Sequence, residues 1–380
     1  AASRPRATDP ATGFPNDAFW TNYVRGQEGV TVVDPFTITI RLTPHAEFLD
    51  PWRATAIMPA HLLADVPGSE LRQHPFGMRC PVGNGPFRFV EHRQDESWTF
   101  ARNAGFPAEL GGPPPVERYV YRVIPEPTTL LTELLTERID VYIAPRPEQA
   151  PDILASPTAE LLAYPFRSFV FVAWNSRRPQ LADARVRRAL TMGVNRQQIV
   201  EALRQGYGLI ANSSVPPFHW AYYPEIADSL GYNPVRAAAL LDEAGWGDRD
   251  GDGIRENADG LPLQLTVKYN QWNEERRDIA EIMQAQLGEI GVAIQPQVVE
   301  WATMLSQIQS RERDFDGVVM GWVTEFRIDD TDLFASARRD DAYAYSGTQN
   351  ETLDRLMEEL PLIVDREEAL PKWREYQYEL

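Results

Sequence analysis

The first part of the chain is dominated by short alternations of apolar and polar residues. Residues 30–42, VTVVDPFTITIRL, alternate around Asp34 and Pro35 and predict a hairpin. A short helix is expected at 59–64, strands at 87–91 and 97–101, a Gly- and Pro-rich loop at 106–115, and a strand at 116–124. Leu130, Leu131, Leu134 and Leu135 fall at helical spacing within 127–138, and 139–144 reads as a further strand, completing a strand, helix, strand unit. Pro145, Pro147, Pro151, Pro157 and Pro165 then mark a connector.

Beyond the connector, 166–174 is strongly β-forming, and helical patterns follow at 183–192, 195–204 and 233–244. The last of these has Asn233 placed as a cap and Pro234 at the first helical position. Leu261, Leu263, Leu265, Val267 and Tyr269 alternate as a strand. Ile279, Ile282, Met283, Leu287 and Ile290 form a helical stripe ended by Gly291, and Val292, Ile294 and Val298 alternate again. This is the signature of a βαβ crossover with parallel strands. A helix at 302–310, a buried strand at 317–323 and a helical pattern over 371–380 complete the reading, so the second half is α/β.

With 380 residues the chain exceeds the roughly 250–300 at which one hydrophobic core stops growing, which predicts more than one lobe. Its 43% hydrophobic and 24% charged composition is that of a folded globular chain. A formal charge of −18 argues against nucleic acid and anionic lipid as partners, because such affinity comes from Lys and Arg neutralising phosphates. Cys80 is the one cysteine, so no internal disulfide can form and no Cys-based zinc site can be completed. His45, His61, His74, His92 and His219 lack metal-ligand spacing, and no nucleophile elbow, P-loop, HExxH or dinucleotide fingerprint is present. A catalytic role is therefore not expected. No run approaches the length of a membrane span. Residues 1–12 are polar, without a starting Met, and 371–380 stop without a Gly or Asn cap, so both ends read as cut.

Five ordered blocks between residues 81 and 322 carry a resemblance. They are PVGNGPFRF at 81–89, VERYVYRVIPEPTTLLTELLTERIDVYIA at 116–144, WNSRRPQLADARVRRALTMGVNRQQIV at 174–200, NPVRAAALLDEAGW at 233–246 and DFDGVVMGW at 314–322. They resemble the family 5 extracellular solute-binding proteins of peptide- and nickel-type ABC importers. The resemblance implies an α/β, two-lobed, class II periplasmic-binding-protein-like fold with an extra small domain, mixed sheets and βαβ units, lacking both ends of the family domain. On that pattern 1–80 would be the remainder of the small extra domain, 81–172 part of the first lobe, and 173–380 the second lobe, cut at its C-terminus. The implied function is capture of a short peptide or related polar solute between lobes that close about a hinge, and its delivery to ABC permease subunits. Related ligands would be an oligosaccharide or a metal chelate, and a ligand-sensing subunit would share the fold. The resemblance also implies a monomer in the periplasm or outside the cell, with a lipoprotein anchor an option.

Candidate site residues cluster where strands end. GWVTEFRIDD at 321–330 follows a buried strand and crowds Trp322, Glu325, Phe326, Asp329 and Asp330 into one strand exit, with Trp322, Glu325 and Asp329 the candidates for ligand contact. In peptide-binding members an Asp three residues after this Trp receives the ligand's α-ammonium. Glu325 stands there in this chain, one methylene longer, with a solvated or structural carboxylate the alternative reading. Asn270 ends one strand and Trp301 follows another, so both are candidates for the same sheet edge, with core packing the alternative for Trp301. Pro217, Phe218, His219, Trp220, Tyr222 and Tyr223 read better as a hydrophobic staple than as a stacking platform. Asp248, Asp250 and Asp252 with Gly253 match the opening of a calcium loop, because oxygens on alternate residues can converge on one ion. Arg255 and Asp259 depart from the later EF-hand positions, so an acidic turn is the competing reading and no cofactor is required.

Overall fold

The computed structural model describes residues 29–42, 58–67, 70–71, 74–324 and 328–380. These fall in two compact units, one holding 29–41 and 58–162, the other 163–380.

In the first unit β1 (Val30–Asp34) and β2 (Thr37–Ile40) pair as the expected antiparallel hairpin. The Asp34 carboxylate accepts the Phe36 N–H at 2.7 Å, which closes the turn. Short helices α1 (Ala60–Leu63) and α2 (Pro75–Met78) follow. An antiparallel sheet then runs in the order β3 (Phe87–Arg93), β4 (Ser97–Arg102), β5 (Arg118–Arg122). Helices α3 (Pro127–Leu135) and α4 (Ala150–Ala155) close the unit. Gln149, 6% exposed, ties them: it accepts from Tyr142 Oη at 2.8 Å and Arg146 N at 3.0 Å, and donates to Pro127 O at 2.9 Å.

The strand expected at 139–144 does not form. Its apolar residues Val141 and Ile143 are 71% and 72% exposed, and no described strand runs beside them. Alternation makes a strand only when another strand supplies the hydrogen bonds.

The second unit is built on a four-stranded sheet ordered β6-β9-β7-β8, of β6 (Ser168–Trp174), β7 (Gln264–Asn270), β8 (Ala293–Val299) and β9 (Gly317–Val323). β7 runs parallel to β8 and β9, while β6 is antiparallel to β9 along its whole length. Three helices, α5 (Ala184–Met192), α6 (Arg196–Arg204) and α7 (Pro234–Glu243), precede β7. Asp183, Asn195 and Asn233 cap them through their side chains, the last as expected. Helix α8 (Glu274–Gly288) links β7 to β8, so the βαβ unit is present, and α9 (Trp301–Gln309) links β8 to β9.

Alternation along the strands sorts the cores. Leu263, Leu265, Val267 and Val319 pack with α5, α7 and the α8 residues Ile279, Ala280, Met283 and Leu287. Val318 and Met320 join Met304 and Ile308 of α9. Helices α8 and α9 therefore cover opposite faces of the sheet.

Asn175, 1% exposed, fastens the end of β6 to the start of β9 by donating to Arg313 O at 3.2 Å and Phe315 O at 3.0 Å. Gly317 is obligatory nearby, since a Cβ there would lie 2.6 Å from the Trp174 ring. After β9 come α10 (Thr331–Phe334), α11 (Glu351–Glu359) and α12 (Arg366–Glu379). Helix α12 starts earlier than the 371 expected, because Asp365 caps it through the Glu367 and Glu368 N–H groups and Pro371 is taken into its interior.

Candidate functional site

Since β7, β8 and β9 run parallel, their carboxyl ends Asn270, Val299 and Val323 share one edge of the sheet. The chain leaves β7 toward α8 on one face and leaves the adjacent β8 toward α9 on the other. Such a divergence opens a crevice at the carboxyl edge of an α/β sheet.

Two of the expected residues meet there. Asn270 Oδ1 accepts from Arg276 Nη1 at 2.7 Å, and the Arg276 Cζ lies 5.8 Å from the centre of the Trp301 ring. Arg276, in the first turn of α8, thus bridges from Asn270 to Trp301. Trp301 is 44% exposed and belongs to none of the hydrophobic clusters, which favours an edge over a core role. Glu300 fixes the start of α9 by accepting the Ala302 and Thr303 N–H groups, both at 2.9 Å, and these bonds hold its carboxyl below the usual range.

Trp322 takes the other face of β9. It is partly buried against the α9 cluster, edge-on to Tyr343 with ring centres 5.8 Å apart. Gly321 beside it faces Arg276, whose Nη2 would stand 3.1 Å from an added Cβ. Glu325 lies outside the described residues. Asp329 is part-buried and accepts the Thr331 N–H at 3.2 Å, the role of a turn residue.

Two residues, Arg276 and Trp272, escaped the sequence reading, and Asp330 stands at the strand exit with no role read from the sequence. Arg276 carries no sequence signal beyond a charge in the first turn of a helix. Trp272, 91% exposed, sits in the β7–α8 loop with a left-handed backbone at φ 67°, a conformation rare outside glycine. Asp330, 5% exposed, accepts from Tyr376 Oη at 2.6 Å and from Ser214 Oγ. Burial pushes its carboxyl up to about 6 against these two bonds. Strand spacing pointed to the edge, but it could not show which side chains bend back over it.

Elsewhere, Asp248, Asp250 and Asp252 converge with Glu256, one carboxylate oxygen of each lying within 4.8 Å of the others. Sequence missed Glu256, which is 8% exposed and held by the bridge between Gly247 and Glu256. An all-oxygen set of this kind suits calcium. The same carboxylates also accept backbone N–H groups of the loop, Asp248 accepting from Gly251 at 2.7 Å and from Gly253 at 3.1 Å, so the turn is self-supporting. The aromatic run at 217–223 is structural: Trp220 and Tyr222 pack into the cluster of α11 and α12, with Trp220 edge-on to Trp373 at 6.4 Å. In the first unit a concavity of about 410 Å³ is lined by Asp95, Glu96, Ser97, Val120, Arg122 and Val123. Its one cation, Arg122, is already paired with Glu133 at 2.6 Å.

The model of the bacterial extracellular solute-binding proteins, family 5, middle region, matches residues 2–343. The chain belongs to this family. The family 5 chain is 32% identical over 322 residues to the oligopeptide-binding protein AppA of Bacillus subtilis (strain 168), covering 83% of itself and 57% of that protein. It is 28% identical over 242 residues to heme-binding protein A of Haemophilus influenzae, covering 64% of itself and 42% of that protein. It thus spans about half the length of these curated relatives. Among solved structures it is similar to Bacillus subtilis AppA in complex with a nonapeptide, with a TM-score of 0.79 and 27% identity over 99% of this chain and 78% of that one. The fold is the expected α/β fold of these binding proteins. Among the described residues no helix is long and apolar enough to cross a membrane.

Proposed function

We propose that this chain is the ligand-capturing part of an ABC importer's substrate-binding protein, taking a short peptide or related small polar solute outside the cytoplasm and delivering it to membrane permease subunits without chemical change. The observation that carries this is the 32% identity to the oligopeptide-binding protein over 322 residues. The crevice at the carboxyl edge of β7, β8 and β9 supports it with polar and aromatic groups, Asn270, Trp301 and Trp322, at the place where α/β lobes hold ligands. Glu325, three residues after Trp322, would face an ammonium, as an Asp does in the family's peptide binders.

The test is thermal unfolding of the 380-residue chain against di- to nonapeptides, oligosaccharides and metal chelates, repeated with Glu325→Ala. A ligand that binds the folded state raises the melting temperature by mass action. Peptides should stabilise the protein and Glu325→Ala should weaken the effect. The similarity to a heme-binding protein keeps a second ligand class in view. Stabilisation by porphyrin or chelate alone would replace the peptide with that ligand.

A further inference from the structure

We infer that Arg276 is the residue by which the second unit holds a carboxylate of its ligand at the carboxyl edge of the parallel strands. This deepens the binding reading above and rests on it.

The guanidinium is half-buried, and burial lowers its pKa, yet an arginine stays charged at any physiological pH. Desolvating a cation is costly unless an opposite charge compensates. No carboxylate among the described residues pairs with it. The nearest in sequence, Glu275, is taken by Arg204 at 2.7 Å. Several exposed arginines of the unit have acids in contact: Arg185 with Asp183 at 2.6 Å, Arg236 with Glu243 at 2.6 Å. Arg187, Arg196 and Arg313 are drawn into the fold without an acid in contact too, but each spends its donors on backbone carbonyls, Arg187 on Leu181 and Ala182, Arg196 on Ala211 and Leu230, Arg313 on Ile308 and Ala342. Arg276 differs in having one oxygen acceptor, Asn270 Oδ1, which leaves room for an anion from outside.

The surroundings aim the group rather than satisfy it. Nη1 donates to Asn270 Oδ1 at 2.7 Å and touches Met320 Sδ at 3.7 Å. The Trp301 ring flanks the guanidinium at 5.8 Å, a cation–π distance. Nε is buried with no hydrogen-bond partner, as it is in Arg177, Arg313 and Arg339, so the donor left for a ligand is Nη2, which lies over Gly321, where any side chain would crowd it. Two contacts thus fix the plane of the fork while Nη2 remains unused, a preorganised donor for a carboxylate.

The experiment uses the 380-residue chain labelled with ¹⁵N-arginine, with the Arg276 Nε–Hε resonance assigned by its loss in Arg276→Lys. Sodium acetate is titrated against sodium chloride at matched ionic strength. Calorimetry then compares trialanine, trialanine amide and Ala-Glu-Ala amide on the natural chain, Arg276→Gln and Gly321→Ala. Acetate should move the resonance saturably while chloride does not. A carboxylate-bearing tripeptide should bind roughly ten- to a hundredfold tighter than trialanine amide, the range of a charge-assisted hydrogen bond. That ratio should fall to about twofold or less in Arg276→Gln. Which tripeptide gains tells a terminal from a side-chain carboxylate.

Gly321→Ala keeps the charge, crowds the fork and should weaken the same preference, which separates recognition from folding. A resonance indifferent to acetate, or an acid-to-amide ratio unchanged in Arg276→Gln, overturns the inference while leaving peptide capture intact. Saturable movement with acetate but no binding of any tripeptide leaves Arg276 as the carboxylate site and removes the peptide reading.

Discussion

Replacing Asp330 by Asn should change the pH dependence of stability more than stability itself. The carboxyl is 5% exposed and titrates near 6 in the folded chain against a reference of 3.8. A raised acid keeps its proton longer in the folded state than in the unfolded one, so between these values the folded state binds more protons. Stability falls as pH rises through that window and levels off above it. The difference of about two units corresponds to about 3 kcal/mol. Asp330→Asn keeps an oxygen that can accept from Tyr376 Oη and Ser214 Oγ but carries no titrating proton, so it escapes the loss.

The assay is urea unfolding of both proteins at several values between pH 4 and pH 7.5, followed by tryptophan fluorescence. The quantity that matters is the difference between the two, since every other carboxylate cancels. That difference should move by about 2.5 kcal/mol in favour of Asp330→Asn from the acid to the neutral end, part of the loss being already in place at pH 4. A difference independent of pH would show that the buried carboxyl titrates normally and would refute the reasoning.

Three further outcomes follow from described contacts. Gly317→Ala pushes a methyl into the Trp174 ring and should destabilise by about 1–3 kcal/mol, read as a lower urea midpoint with unchanged slope. Asn175→Ala strips the Arg313 and Phe315 carbonyls of a buried donor and should cost about 1–3 kcal/mol in the same measurement. If the loop with Asp248, Asp250, Asp252 and Glu256 holds an ion, millimolar calcium should raise the melting temperature and Asp250→Asn should abolish the rise, magnesium acting less. An unchanged melting temperature assigns the loop to turn chemistry alone.

The βαβ unit was legible because Leu263, Leu265 and Val267 keep period two and the α8 stripe keeps its own period, each set by burial on one face. Residues 139–144 show the same period without a partner strand, which a local pattern cannot reveal. The site was legible as an edge, since Asn270 and Trp301 end adjacent elements. It was not legible as chemistry. Arg276 acquires meaning only when helix and strand ends meet, and Asp330 was passed over for Asp329 because adjacent carboxylates differ only in which one a later helix covers.

The pairing of β6 with β9 bears on how the chain reaches its fold. Asn175 and Phe315, which join the ends of these strands, are 140 positions apart, and everything else in the sheet lies between them in sequence. During synthesis β6 emerges long before its neighbour exists and must wait as an open edge of apolar residues. Contacts of such long sequence separation form late and slow the overall rate. The βαβ unit can assemble locally first and β9 then completes it, leaving β6 to dock last. Refolding should therefore show protection of the β7 amides before those of β6, and a chain released early should expose the sticky edge of β6 to aggregation.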